Sequence, residues 1–311
     1  MFVHLHWHSH YSLLEAIGKP KDIVREVADH GMTAVALTDY NGLFGAIEFY
    51  KACKDAEIKP IIWVELGYVY DMSSRSKTEK FGNIVLLAKS FDGYQNLLKI
   101  VSEANLNGRN KKARIDLPLL TTYAKDLIIL IWGVHSCIAK NIMRNEDSNK
   151  ISEDLSRLVT LVGKQNTIIE LTVQDESAHP KIAKINKHLE KLATELELPL
   201  TCANNFHYID QADQKVSEVA LAIKDGKRMF DEDRRKVTLQ QHIMNESEIR
   251  GVLIDNGYDE QRITQMIETS ASIAEQIHID IPLNNILFPK YESPDDIKKL
   301  YEVHKDGLVV E

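Results

Sequence analysis

A chain of 311 residues with 44% hydrophobic and 27% charged side chains has enough apolar material for one large α/β domain or two ordinary ones. Its net charge of −8 argues against a surface that grips nucleic acid all over, and no apolar run approaches the ~18 residues that a membrane span requires. The start carries no signal-peptide pattern. Three widely spaced cysteines, Cys53, Cys137 and Cys202, read as free thiols of a reducing cytoplasm rather than a disulfide framework.

The first element is Phe2-Val3-His4-Leu5-His6-Trp7-His8-Ser9-His10. Its period of two predicts a strand with Val3, Leu5 and Trp7 on one face. His4, His6, His8 and His10 would share the other, about 6 to 7 Å apart. Neutral imidazole is a common transition-metal ligand, so His-x-His puts two donors where they can share one ion. After a turn through 12–18, a helix is expected from Lys19-Pro20 to His30-Gly31, with proline in its first turn. The continuous apolar run 33–38 belongs inside a parallel sheet. A helix over 45–56 follows, then a strand over 58–64 closing at Glu65, a Ser-rich loop over 72–80, a strand over 84–88 and a helix over 93–105.

Further strands are expected at 127–132, 167–171 and 198–203, with helices over 151–162 and 180–196 between them. Seven buried strands alternating with helices predict an α/β fold of the βα-barrel kind. Beyond residue 210 the pattern turns helical, over 212–224, 246–256 and 259–277, with a turn at Gly226-Lys227. Phe288 to Pro294 reads as a linker and a last helix starts near Asp295. The expected division is a domain over 1–280, its barrel reaching about 209 and its helical extension covering 210–280, and a second piece over 281–311. The basic stretch 107–114 reads as a solvated loop, with local nucleic-acid contact as the alternative.

In a βα-barrel the chemistry sits at the C-terminal ends of the strands. The polar residues expected there are His6, His8, Asp39, Tyr40, Glu65, His135 and Asn204-Asn205-Phe206-His207, joined by Glu15 from the first βα-loop. Histidines and carboxylates converging on one rim could bind metal ions that clamp phosphate oxygens and acidify water, which suits phosphate-ester hydrolysis.

The run from His4 to Glu15 resembles the opening motif of the PHP (polymerase and histidinol phosphatase) domain family, in the form that begins bacterial DNA polymerase III alpha subunits. The stretch from Ala36 to Tyr50 resembles that family's second motif. Ile58-Lys59-Pro60-Ile61-Ile62, Leu86-Leu87-Ala88-Lys89 with Gly93-Tyr94-Gln95-Asn96-Leu97, Ala203 to Tyr208, Ala222 to Lys227 and Leu287-Phe288-Pro289 also fit. The resemblance covers nearly the whole chain and implies a distorted seven-stranded, TIM-like barrel. It implies metal ligands at His6, His8, Glu15 (where Asp is usual), Glu65 and His207, with His135 a further candidate. Three positions depart from the family's pattern: Tyr40 and Asn83 stand where histidines are usual, and Asn205 where aspartate is usual.

Amides and a phenol are poor ligands for Zn²⁺ or Mn²⁺. The site is therefore expected to hold at most one divalent ion, weakly, and a 3′–5′ exonuclease-type activity to be eroded. The neutral residues are expected to hydrogen-bond the histidines instead. The partners implied by the resemblance are the rest of a polymerase alpha subunit, a proofreading exonuclease subunit and DNA reached through the full-length protein. The polymerase's own Mg²⁺ chemistry would use aspartates beyond Glu311. The alternative is a free-standing PHP phosphoesterase of the histidinol-phosphatase kind, against which stands the helical extension after Tyr208.

Overall fold

The computed structural model describes residues 1–76, 81–238 and 240–283. Contacts group Met1–Ile279 as one compact unit and Asp280–Glu311 as another. The expected linker, the helix from Asp295 and the Leu287-Phe288-Pro289 motif lie outside the described residues, as do residues 77–80 of the Ser-rich loop.

Seven strands form one mixed, curled sheet: β1 (Ala34–Tyr40), β2 (Lys59–Tyr68), β3 (Gly82–Ala88), β4 (Arg114–Ile115), β5 (Leu127–Trp132), β6 (Thr167–Thr172) and β7 (Leu200–Ala203). Their order is β1-β2-β3-β5-β6-β7, with β4 paired to β2. β1–β2, β5–β6 and β6–β7 are parallel, but β3 runs antiparallel to both of its neighbours. The run 33–38 lies in a parallel pair as expected, and the sequence carries no sign that β3 reverses. An apolar run reports burial and not direction, and the described residues between β2 and β3 hold no helix for a parallel crossover.

The N-terminal stretch also differs from its expectation. Residues 2–10 make isolated bridges, His4 with Val35 of β1 and Trp7 with Phe206 beyond β7, and no regular strand. Ala36 N–H donates to His4 O at 2.9 Å, Thr38 N–H to Trp7 O at 3.0 Å and His8 N–H to Phe206 O at 3.2 Å. The stretch is thus a seam engaging β1 on one side and the chain past β7 on the other. Residues from Phe2 to Ser9 are buried whichever way they point, so no exposed face exists for the histidines. The expected seven strands are six and this seam, while β4, two residues long, escapes a periodicity reading.

Ten helices cover the sheet among the described residues: α1 (Pro20–Asp29), α2 (Ala46–Asp55), α3 (Phe91–Leu106), α4 (Leu117–Tyr123), α5 (Cys137–Met143), α6 (Ser148–Val162), α7 (Pro180–Leu196), α8 (Gln214–Asp225), α9 (Glu246–Asp255) and α10 (Glu260–Glu275). Side chains of Ser90, Asp116 and Ser136 accept backbone N–H groups at the starts of α3, α4 and α5, satisfying donors that a helix leaves open. α4 and α5, seven residues each, were not anticipated, being too short for an apolar stripe to register.

The extension packs onto the sheet. α10 lies along β7, where Thr201 Oγ1 donates to Met266 O at 3.2 Å, and Asn204 Nδ2 donates to Gln240 O and His242 O at 3.0 and 2.7 Å. In the basic stretch 107–114, Arg109, Lys111 and Lys112 are exposed, as a solvated loop would have them. Arg114 is buried in β4, its Nε donating to Gly108 O at 2.9 Å and its Nη2 to Met72 O and Ser74 O at 2.9 and 2.8 Å. Gly82 lets β3 pass the start of α5: a Cβ there would lie 2.3 Å from Cys137 Cα. That close passage sets Asn83 beside the next loop, with Asn83 N–H donating to His135 O at 2.7 Å.

Candidate metal centre

The seam delivers His6 and His8, both fully buried, to the inside of the curled sheet. β2 delivers Glu65, which lies within the strand rather than at its end, because β2 runs on to Tyr68. β6 delivers Glu170 from the apolar run Ile168-Ile169-Glu170-Leu171. His6 Nδ1 donates to Glu170 Oε1 at 2.9 Å, while His6 Nε2 stands 3.3 Å from Glu65 Oε2. His8 Nε2 lies 3.5 Å from the same Glu65 oxygen. Among the described residues, one atom each from His6, His8 and Glu65 lie within 4.8 Å of one another, a three-donor group of the size a metal ion needs.

The electrostatics are uneven. Burial alone would lower the pKa of His6, but Glu170 and then Glu65 overcome it and raise the group to about 9. His8 is driven well below its ordinary value by burial and then by His207 and His6. Among the described residues neither ring nitrogen of His8 has a hydrogen-bond partner. A buried nitrogen left unpaired costs about 1–3 kcal/mol, and an ion held between His6, His8 and Glu65 would satisfy His8 Nε2. The donor set, two imidazoles and a carboxylate, also suits Zn²⁺ or Mn²⁺. The residues fit one ion.

The other expected ligands lie around this group. Glu15 turns to cations instead: Arg235 Nη1 donates to it at 2.8 Å and Lys224 Nζ pairs with it at 2.9 Å. Burial opposes its ionisation, but these bonds outweigh that and hold its pKa below the usual carboxylate value. His207 sits with its ring 4.9 Å from that of His8, and its Nδ1 donates to Asn205 O at 2.8 Å. Glu15, Tyr40, His135, Asn205, His207 and Arg235 line one cavity of about 410 Å³.

The three departing positions behave differently from one another. Asn83 Nδ2 donates to Glu65 Oε1, so its amide binds the carboxylate and not a histidine. Tyr40 stacks flat on His8, rings 4.0 Å apart and 9° from parallel, which is packing rather than a hydrogen bond. Asn205 holds His207 with its backbone carbonyl, and its own Oδ1 is buried without a partner among the described residues. The expectation that all three hydrogen-bond the histidines through their side chains therefore fails. A residue type says what a side chain can offer, and the backbone decides where it points.

His4 and His10 do not join the centre. His4 Nε2 donates to Met244 O at 2.8 Å, and His10 is half-buried with Nδ1 3.4 Å from Gly18 O. Asp39 is a clamp: its carboxylate accepts from Ser9 N and Ser9 Oγ at 2.8 Å and from Ser12 Oγ at 2.7 Å, fixing the turn after His8. Glu170 was not anticipated. The signal was present all the same, a single carboxylate in an otherwise apolar strand.

The curled mixed sheet encloses a buried histidine–carboxylate group that could hold an ion, and the chain belongs to the PHP domain family, matched over residues 4–174. It is 32% identical over 303 residues to DNA polymerase III subunit alpha of Treponema pallidum, covering 95% of this chain and 25% of that protein. It is 31% identical over 309 residues to the same subunit of Borreliella burgdorferi, covering 97% of this chain and 26% of that protein. The chain thus spans about a quarter of the length of these curated relatives. Among solved structures, a two-domain protein from Bacteroides vulgatus containing a predicted PHP-like metal-dependent phosphoesterase aligns with a TM-score of 0.43 and 10% identity, over 86% of this chain and 69% of that one.

Proposed function

We propose that this chain is the N-terminal PHP region of a bacterial replicative polymerase alpha subunit, a structural and partner-binding module whose metal centre has shrunk to one weakly held divalent ion. The observation that carries the reading is the pair of neutral side chains at two replaced positions beside the three-donor group, an Asn83 amide on Glu65 and a Tyr40 ring on His8. His6, His8 and Glu65 would hold the ion, and when bound it would supply Lewis-acid chemistry toward a phosphate ester. Arg235 and Lys224 keep Glu15 away from the group, so a second ion lacks a carboxylate there. The partners in this reading are the remainder of the alpha subunit with its Mg²⁺-dependent chemistry, the proofreading exonuclease subunit, and DNA through the full-length protein, all in the cytoplasm. Among the described residues no helix is long and apolar enough to cross a membrane.

The test joins elemental analysis to an activity assay on untagged protein purified without chelator. At most one equivalent of Zn²⁺ or Mn²⁺ is expected after dialysis, with little release of nucleotides from a DNA 3′ end. Two retained equivalents, or robust metal-dependent release abolished by His6→Ala, would overturn the reading.

A further inference from the structure

A carboxylate in the middle of an apolar strand is costly to bury, and Glu170 is only 2% exposed. One of its oxygens accepts from His6 Nδ1 at 2.9 Å, and the other has no partner among the described residues. Pairing of β6 with β5 sets Glu170 opposite Trp132, whose ring meets His6 edge-on at 4.3 Å and 87°. The imidazole is therefore fixed twice, by the indole against its ring and by the carboxylate on one nitrogen. What remains is Nε2, which faces Glu65. Metal-binding histidines commonly give their second N–H to a carboxylate, which fixes the ring's orientation and strengthens the donor nitrogen.

We propose that Glu170 is a positioning residue for the metal centre: it takes the Nδ1 proton of His6, presents Nε2 to the ion and strengthens that nitrogen as a donor. The proposal rests on reading His6, His8 and Glu65 as a metal centre. Glu170 does not touch the ion. Its charge acts through the imidazole, so a neutral acceptor of the same shape restores the orientation without restoring the full donor strength.

The test uses the full chain and has two readouts, Zn²⁺ affinity by chelator competition and the His6 Nδ1 proton by NMR in metal-free protein. A slowly exchanging downfield resonance, assigned by its loss in His6→Ala, is expected in the wild type. Glu170→Ala should lose that resonance and weaken Zn²⁺ binding by about tenfold to a hundredfold. Glu170→Gln should keep the resonance, shift it upfield and weaken binding less than Glu170→Ala does. If Glu170→Ala does not fold, Glu170→Gln decides, and an unshifted resonance with wild-type affinity would overturn the proposal. A wild type that binds no Zn²⁺ at millimolar concentration sinks the metal-centre reading instead. The resonance then judges Glu170 alone: its loss in Glu170→Ala supports the hydrogen-bonding role, and its persistence overturns it.

Discussion

His4 and His6 sit two residues apart on one seam and are held in opposite charge states near neutrality. His4 is enclosed edge-on by Phe2 and Phe206, each 4.9 Å away, and burial lowers its pKa to about 4. The unfolded chain, with an ordinary value of 6.5, then takes up the proton first. The contribution of His4 to stability is whole above pH 6.5 and is lost as pH falls toward about 4. His6, raised to about 9, works the other way: its contribution is whole below 6.5 and is lost as pH rises through about 9. In EDTA, urea unfolding midpoints should therefore fall from pH 7 to pH 5. His4→Gln, which keeps a donor for Met244 O and cannot charge, should lessen that fall, to which the buried His8, His135 and His207 also contribute; an unchanged slope would remove His4 from the account. Sequence showed that these histidines alternate with large apolar residues. Which one meets a carbonyl and which a carboxylate depends on residues 240 and 164 positions away, and no local pattern carries that.

At the scale of elements, proline marked two helix starts, and uninterrupted apolar runs marked the strands. α1 begins at Pro20 and α7 at Pro180, where the sequence placed them. The reversal of β3 and the brevity of α4 and α5 were not legible, because strand direction and single short turns leave no periodic trace. Glu15 shows the same limit: its place in the first βα-loop suggested a ligand, but its neighbours come from α8 and the segment after it. Arg235 joins Glu15 to Asp225 at the end of α8, at 2.8 and 2.7 Å, which latches the loop to the extension. Arg235 is 47% exposed, so the latch is screened by solvent. Arg235→Ala should cost about 0.5–1 kcal/mol in dilute buffer and less in 1 M salt. Unfolding curves that coincide at both salt levels would show that the latch holds nothing.

For the whole molecule, the extension belongs with the sheet that it covers. Val3 N–H donates to Ser270 Oγ at 3.1 Å and Phe2 N–H to Glu246 Oε2 at 2.8 Å, so the seam is fastened from outside by α10 and α9. α10 buries Ile263, Met266, Ile267 and Ile273, an apolar face that would otherwise meet water together with β7. A chain ending at Ile279 should unfold cooperatively on heating, as judged by circular dichroism. One ending at Ile209 should show no sharp transition. Cooperative unfolding of the shorter chain would make the extension an ornament.

The seam also sets an order of events during synthesis. Its residues leave the ribosome before any strand of the sheet, yet Val3 waits for Ser270, 267 positions later, and His8 for the carbonyl of Phe206. Contacts so distant along the chain close late, after the loop entropy between them has been overcome. At the synthesis rate of about 5–20 residues per second, the imidazoles of the centre spend on the order of ten seconds or more unpaired. These side chains, made ahead of the sheet, find their most distant neighbours late, and through that interval they are open to any free metal in the surrounding solution.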